Sequence, residues 1–98
     1  MFTWDLEKNR LNKKKHGLFL SEITQVFDDP HLIEFYDGAH STVEEERYIC
    51  LGCWQGFMTL FVAFTEKDGD IHLITAREAT TKEKHIYEEN YRKEVGRN

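Results

Sequence analysis

Two cysteines, five histidines and a short run of lysines are the side chains in this sequence whose types and spacing could do chemistry. Cys50-Leu51-Gly52-Cys53 has the spacing of half a zinc site or of a redox pair. No second cysteine pair completes it, and the surrounding residues read as a strand. Residues three apart in a strand point to opposite faces, so the pair is expected to be two separate structural thiols. His16, His31, His40, His72 and His85 show no metal-ligand spacing. His16 differs from the others because it closes Lys13-Lys14-Lys15-His16-Gly17. It reads either as a C-terminal helix cap or as an acid or base beside a phosphate-binding cluster. The lysines read either as a solvated helix end or, with Lys8 and Arg10, as a basic patch. Helical spacing puts Lys8, Asn12 and Lys15 on one face and Arg10 with Lys14 on another.

Arg77 closes a strand whose alternation sets Ile71, Leu73, Thr75 and Arg77 on one face. An arginine among apolar neighbours needs a partner. That partner is either a carboxylate of the acidic middle segment or a bound phosphate. Arg47 follows Glu44-Glu45-Glu46 and reads as their ion-pair partner. The sequence contains no P-loop, no G-x-G-x-x-G and no G-x-S-x-G.

The elements that must hold these residues follow from period and punctuation. Phe2–Trp4 is β-prone. Asp5 caps a helix that runs from Leu6 to about Lys15 and stops at Gly17. Phe19, Ile23, Val26 and Phe27 form an apolar stripe that predicts a second short helix, ended by Asp29-Pro30. The period then changes to two. Strands are expected over His31–Asp37, Arg47–Cys53, Phe57–Glu66 and Ile71–Arg77, the last three as an antiparallel meander. Phe57–Thr65 is apolar on both faces and should be covered on both sides. Thr80 and Glu83 have capping-box spacing at the head of a closing helix that runs to about Val95. Its narrow stripe of Tyr87, Tyr91 and Val95, with Ile86 beside it, places it on the surface. The expected class is α+β: two leading helices, an antiparallel sheet of three to four strands and a C-terminal helix.

Ninety-eight residues make one small domain, taken here as residues 1–98. An apolar share of 40% and a charged share of 32% exclude a disordered tail and a membrane span. The N-terminus lacks the apolar run of a secretory peptide, so the cytoplasm is the expected compartment. The net charge of −5 speaks against a polyanionic ligand until it is resolved by segment. Residues 1–20 hold five Lys or Arg against two Asp or Glu. Residues 21–50 hold one against eight, and residues 51–98 hold seven against eight. A local cationic surface can therefore coexist with a negative total.

Four collinear blocks resemble the BrnT toxin family. They are Phe2-Thr-Trp-Asp5 with Lys8, Asn12 and Lys15-His16-Gly17; Val26-Phe27-Asp28-Asp29-Pro30; Glu46-Arg47-Tyr48-Ile49 with Gly52; and Ile74-Thr75-Ala76-Arg77-Glu78-Ala79-Thr80 with Glu83 and Tyr87-Glu88. The resemblance implies a RelE-like α+β fold and a type II toxin. Such a toxin is a small ribonuclease that cleaves RNA without a metal or other cofactor. It also implies a cognate DNA-binding, BrnA-like antitoxin, with DNA bound only through the toxin–antitoxin complex. The chemistry would be attack of a 2′-hydroxyl on the adjacent phosphate, which needs a base, a cation on the developing charge and an acid. By motif position, Arg77 would be the phosphate clamp, supported by Lys15, His16, Arg47, Glu83 and Tyr87. Lys8 and Asn12 would hold the leading helix, and Trp4 and Phe27 would be core. Glu78 and the mixed charges of the closing helix depart from the family's basic pattern and lower the expected RNA affinity. An alternative reading is a toxin-like module that binds its antitoxin without cleaving RNA.

Overall fold

A computed structural model describes residues 1–96. The last two residues of the expected 1–98 domain lie outside them. Asp5 accepts the Lys8 N–H at 3.0 Å and starts helix α1, Leu6–His16. Gly17 ends α1 at φ 77°, in the left-handed region where glycine carries no Cβ penalty. Strands β1 (Phe2–Thr3), β2 (Ile33–Tyr36), β3 (Arg47–Trp54), β4 (Met58–Lys67) and β5 (Asp70–Glu78) form one five-stranded sheet, ordered β1-β5-β4-β3-β2. Helix α2, Thr81–Val95, closes the described chain with Thr80 and Glu83 in a capping box.

The sheet is larger than the three to four strands expected, and it is mixed. Phe2–Thr3 joins it as a fifth strand, parallel to Ile71–His72. Two residues carry too little alternation to read as a strand, and the partner is distant in sequence. The meander β3-β4-β5 and the edge strand β2 are antiparallel, as the spacing predicted.

The expected second α-helix is replaced by two 3-10 turns, Leu20–Glu22 and Thr24–Asp28. The reason lies in the period. At three residues per turn, Leu20, Ile23 and Val26 fall in one line, and all three are fully buried. The α-helical stripe through Phe19 omits Leu20, while Phe19 itself stays 37% exposed. Leu20, Ile23 and Val26 pack on Cys50, Leu60, Val62, Phe64, Leu73 and Ala76 of the sheet. Each such side chain contributes about 1.5–3 kcal/mol by burial. Trp4 and Phe27 pack against the margin of this core.

Arg77 lies on the opposite face from Leu73, contrary to simple alternation. Register shifts between Ala63 and Phe64, which face Thr75 and Leu73, so Ile74 is an extra residue. This bulge turns Thr75 and Arg77 away from the core and toward the side where α2 packs. β4 is covered on both sides, as its two apolar faces predicted. The 3-10 turns cover one face, and α2 partly covers the other.

The outer edge of β5 is closed in two ways. β1 pairs with its first half. In the second half the Asn12 carboxamide replaces a strand: its Oδ1 accepts the Ala76 N–H at 3.2 Å, and its Nδ2 donates to the Ala76 carbonyl at 2.9 Å. The same Nδ2 donates to the Leu18 carbonyl at 2.7 Å, and Thr75 Oγ1 donates to Oδ1 at 3.0 Å. Asn12 is the one buried residue of α1 and fixes that helix to the sheet.

Candidate functional site

The last turn of α1 places Lys13, Lys14, Lys15 and His16 at the helix C-terminus, where positive charge is favourable. Lys13 is committed to structure: its Nζ donates to the Gly17 carbonyl at 3.1 Å and lies over the Phe19 ring. Lys8, Leu11, Asn12, Lys15, His16, Ile74 and Thr75 line a cleft of about 240 Å³ between α1 and β5. Burial holds the His16 imidazole below its usual pKa, and the positive charges of Lys15 and Arg77 act in the same direction. Neutral His16 is then an available proton acceptor near neutral pH.

Arg77 is anchored on three sides. Nη1 and Nη2 donate to Glu83 Oε1 and Oε2 at 2.8 and 3.1 Å, and Nη1 also donates to the Glu78 carbonyl at 3.2 Å. The guanidinium carbon lies 3.9 Å from the centre of the Phe61 ring. Its carboxylate partner thus comes from the closing helix and not from the acidic middle segment, one of the two partners the sequence left open. Glu83 also accepts the Thr80 N–H at 2.8 Å, so one carboxylate caps α2 and orients Arg77. The hydrogen bonds from Arg77 hold Glu83 below the usual carboxylate range, against the opposing effect of burial. Both side chains keep some solvent contact, 31% for Arg77 and 20% for Glu83. A phosphate can therefore compete with Glu83 for the guanidinium.

Tyr87 is the buried residue of α2. Its hydroxyl donates to Asp29 Oδ2 at 2.5 Å. Burial and the Asp29 carboxylate both push the phenol pKa up, which keeps Tyr87 a hydrogen-bond donor. Asp29 also accepts the Cys53 N–H at 2.7 Å and the His31 N–H at 2.9 Å. Burial opposes its charge, but these donors outweigh it and hold the acid below its usual pKa. Arg47 instead pairs with Glu45 at 2.9 Å, the partner its position suggested. It faces Thr65 while Arg77 faces Phe61. Strand geometry then separates Arg47 from Arg77 by about 16 Å. Cys50 points into the core and Cys53 lies on the other face, both as free thiols. Burial pushes the Cys50 thiol up to about 12.

The sequence model of the BrnT ribonuclease toxins of type II toxin–antitoxin systems matches residues 4–83. The chain belongs to the BrnT family. A crystal structure of the Brucella abortus ribonuclease toxin BrnT is similar, with a TM-score of 0.66 and 23% identity over 83% of this chain and 99% of that one. At that identity the likeness is one of fold. No curated protein matches the chain.

Within the BrnT match lie Lys15, His16, Arg77 and Glu83, which the fold gathers around the end of β5. Arg47 is matched too, but stands elsewhere on the sheet. Tyr87 follows the matched stretch and sits one helical turn beyond Glu83. Sequence reasoning missed the part Asp29 plays. It reads as a helix stop and as part of one motif block, with no role assigned, yet it joins the 3-10 turn, β3 and α2. Its partners Cys53 and Tyr87 are 24 and 58 residues away, beyond the reach of any local pattern.

Among the described residues, no three His, Cys, Asp or Glu side chains converge as metal ligands. No helix among them is long and apolar enough to cross a membrane.

Proposed function

We propose that this protein cleaves RNA as a BrnT-type toxin with a RelE-like arrangement, without a metal, in the cytoplasm. The observation that carries this reading is the meeting of Lys15, His16, Arg77 and Glu83 at one end of β5. Arg77 exchanges Glu83 for the scissile phosphate and, with Lys15, stabilises the charge that develops there. The neutral His16 imidazole takes the proton of the 2′-hydroxyl, whose oxygen attacks phosphorus. The bond to the 5′-oxygen breaks. The proton balance closes when the imidazolium, or water in exchange with it, protonates that oxygen. The products are a 2′,3′-cyclic phosphate and a free 5′-hydroxyl. Glu83 and Tyr87 act as positioning residues, through Arg77 and through the seat of α2. Arg47 has no contact with the reacting phosphate in this reading.

A cognate DNA-binding antitoxin of the BrnA kind neutralises the toxin, and DNA is contacted only through that complex. The experiment is cleavage of end-labelled RNA in EDTA, together with growth after induction. Wild-type protein should yield cyclic-phosphate ends and arrest growth. Arg77→Ala and His16→Ala should each lower cleavage about 100-fold or more. Intact RNA and unaffected growth with wild-type protein would remove the enzyme reading. One observation favours the second reading, an antitoxin-binding module without catalysis: Glu83 and the Glu78 carbonyl already take three of the Arg77 N–H groups. Tight association with the neighbouring gene's product, with no cleavage, would establish it.

A further inference from the structure

A second cleft, of about 410 Å³, lies between the later turns of α2 and the β3–β4 turn. Its walls include Asp29, His31, Phe57, Tyr87, Glu88 and Tyr91, and no Lys or Arg lines it. Phe57 is 75% exposed at the tip of the turn. Gln55 and Gly56, at φ 56° and 79°, open the three-residue turn Gln55–Phe57, and Gln55 is one of only two non-glycine residues with positive φ among the described residues. Tyr91 is 43% exposed, and its ring meets His31 edge-on at 4.6 Å. Glu88 has its nearest cation, Arg92, at 3.9 Å on an open surface. The cleft thus combines exposed aromatic rings with carboxylates and has no Lys or Arg in its walls, while the His31 ring there is hydrogen-bonded to Glu94.

We propose that this cleft receives an arginine side chain of a basic protein partner. The partner identity rests on the antitoxin reading above, because a DNA-binding protein is rich in basic side chains. A planar guanidinium can stack on Phe57 or Tyr91 while its N–H groups reach a carboxylate, which an ammonium cannot do as well. The protein already uses this combination one helical turn away, where Arg77 lies on Phe61 and is held by Glu83. Charge also selects the ligand. Asp29 and Glu88 attract a cation and repel the phosphates of RNA.

The test is titration of the full chain with a hexa-arginine peptide and with its neutral hexa-citrulline counterpart, at physiological ionic strength. The arginine peptide should bind and the citrulline peptide should not. Phe57→Ala with Tyr91→Ala leaves net charge unchanged and should weaken binding about tenfold. Glu88→Gln should weaken it by a similar factor, and Glu44→Gln, in the exposed loop before β3, should change it less than about twofold. If the aromatic pair is dispensable, or Glu44→Gln acts as strongly as Glu88→Gln, the attraction is diffuse and the proposal falls. It also falls if the aromatic variant slows RNA cleavage while peptide binding is unchanged, since the cleft then serves RNA. Aromatic-dependent peptide binding by a protein that cleaves no RNA would leave this proposal standing and remove only the enzyme reading.

Discussion

Asn12→Ala detaches α1 from β5 and tests how the two halves of the candidate site are held together. The substitution removes the partners of three backbone groups: the Ala76 N–H, the Ala76 carbonyl and the Leu18 carbonyl. Ala76 is fully buried and Leu18 is 8% exposed, so water reaches these groups poorly. Each unmade buried hydrogen bond costs about 1–3 kcal/mol; at the lower part of that range, which suits groups that partial relaxation can rescue, the set costs roughly 3–5 kcal/mol. The better helix propensity of alanine returns up to about 0.7 kcal/mol. The expected net loss is about 3 kcal/mol, against a total of about 5–15 kcal/mol for a domain. A domain of this size should then melt about 12–24 °C lower. Urea unfolding followed by fluorescence of the buried Trp54 gives the free energy directly. Asn12→Asp is a sharper probe. It keeps an acceptor for the Ala76 N–H but loses both donations and faces two carbonyls with a carboxylate. It should cost at least as much as alanine. A loss below about 1 kcal/mol, with unchanged exchange of the Ala76 amide proton, would refute the view that one carboxamide seals this edge.

Other substitutions probe the rest of the frame. In Gly52→Ala the added Cβ would lie 2.6 Å from Leu32 Cδ1, 2.8 Å from Val26 Cγ2 and 3.2 Å from the Val26 carbonyl oxygen. Calorimetry should show a loss of about 1–3 kcal/mol, only partly restored by adding Leu32→Ala, because the Val26 backbone cannot step aside. Acid should weaken the fold through Glu83 and Asp29. Both have folded pKa values below their ordinary ones of 4.5 and 3.8, so their contribution is complete above those values and is lost as pH falls through the lower, folded ones. Glu83→Gln should flatten the urea midpoint between about pH 5 and 3, and an unchanged slope would contradict this. Native protein should show its slow thiol at Cys50, with Cys53 reacting first with a disulfide reagent, and urea should expose the second. Equal rates in the folded state would count against the buried placement.

Local signals in the sequence were reliable wherever the structure is local. Asp5, Gly17, Thr80 and Glu83 marked both α-helices, and the change to period two marked the meander. The misread parts depend on geometry that a repeat cannot show. Leu20, Ile23 and Val26 have a three-residue spacing that an α-helical reading passes over. The bulge at Ile74 reverses the face of Arg77 without altering any residue type. The Phe2–Thr3 pairing depends on a partner found only in the folded chain. At the candidate site, Lys15, His16, Arg77 and Glu83 were named from motif position, and the fold brings them together. Asp29 was passed over because nothing in its own neighbourhood shows that it will meet Tyr87.

The parallel join of β1 to β5 has a consequence for the order in which the protein becomes competent. Thr3 hydrogen-bonds His72 across 69 positions, and Asn12 reaches Ala76 across 64. β1 and α1 are therefore made before the strand that seats them and cannot find their place until β5 follows. Lys15 and His16 leave the ribosome long before Arg77 exists to stand beside them. A nascent chain carries the parts of the proposed ribonuclease but not the site. The topology thus delays the proposed activity until β5 has been made and has paired.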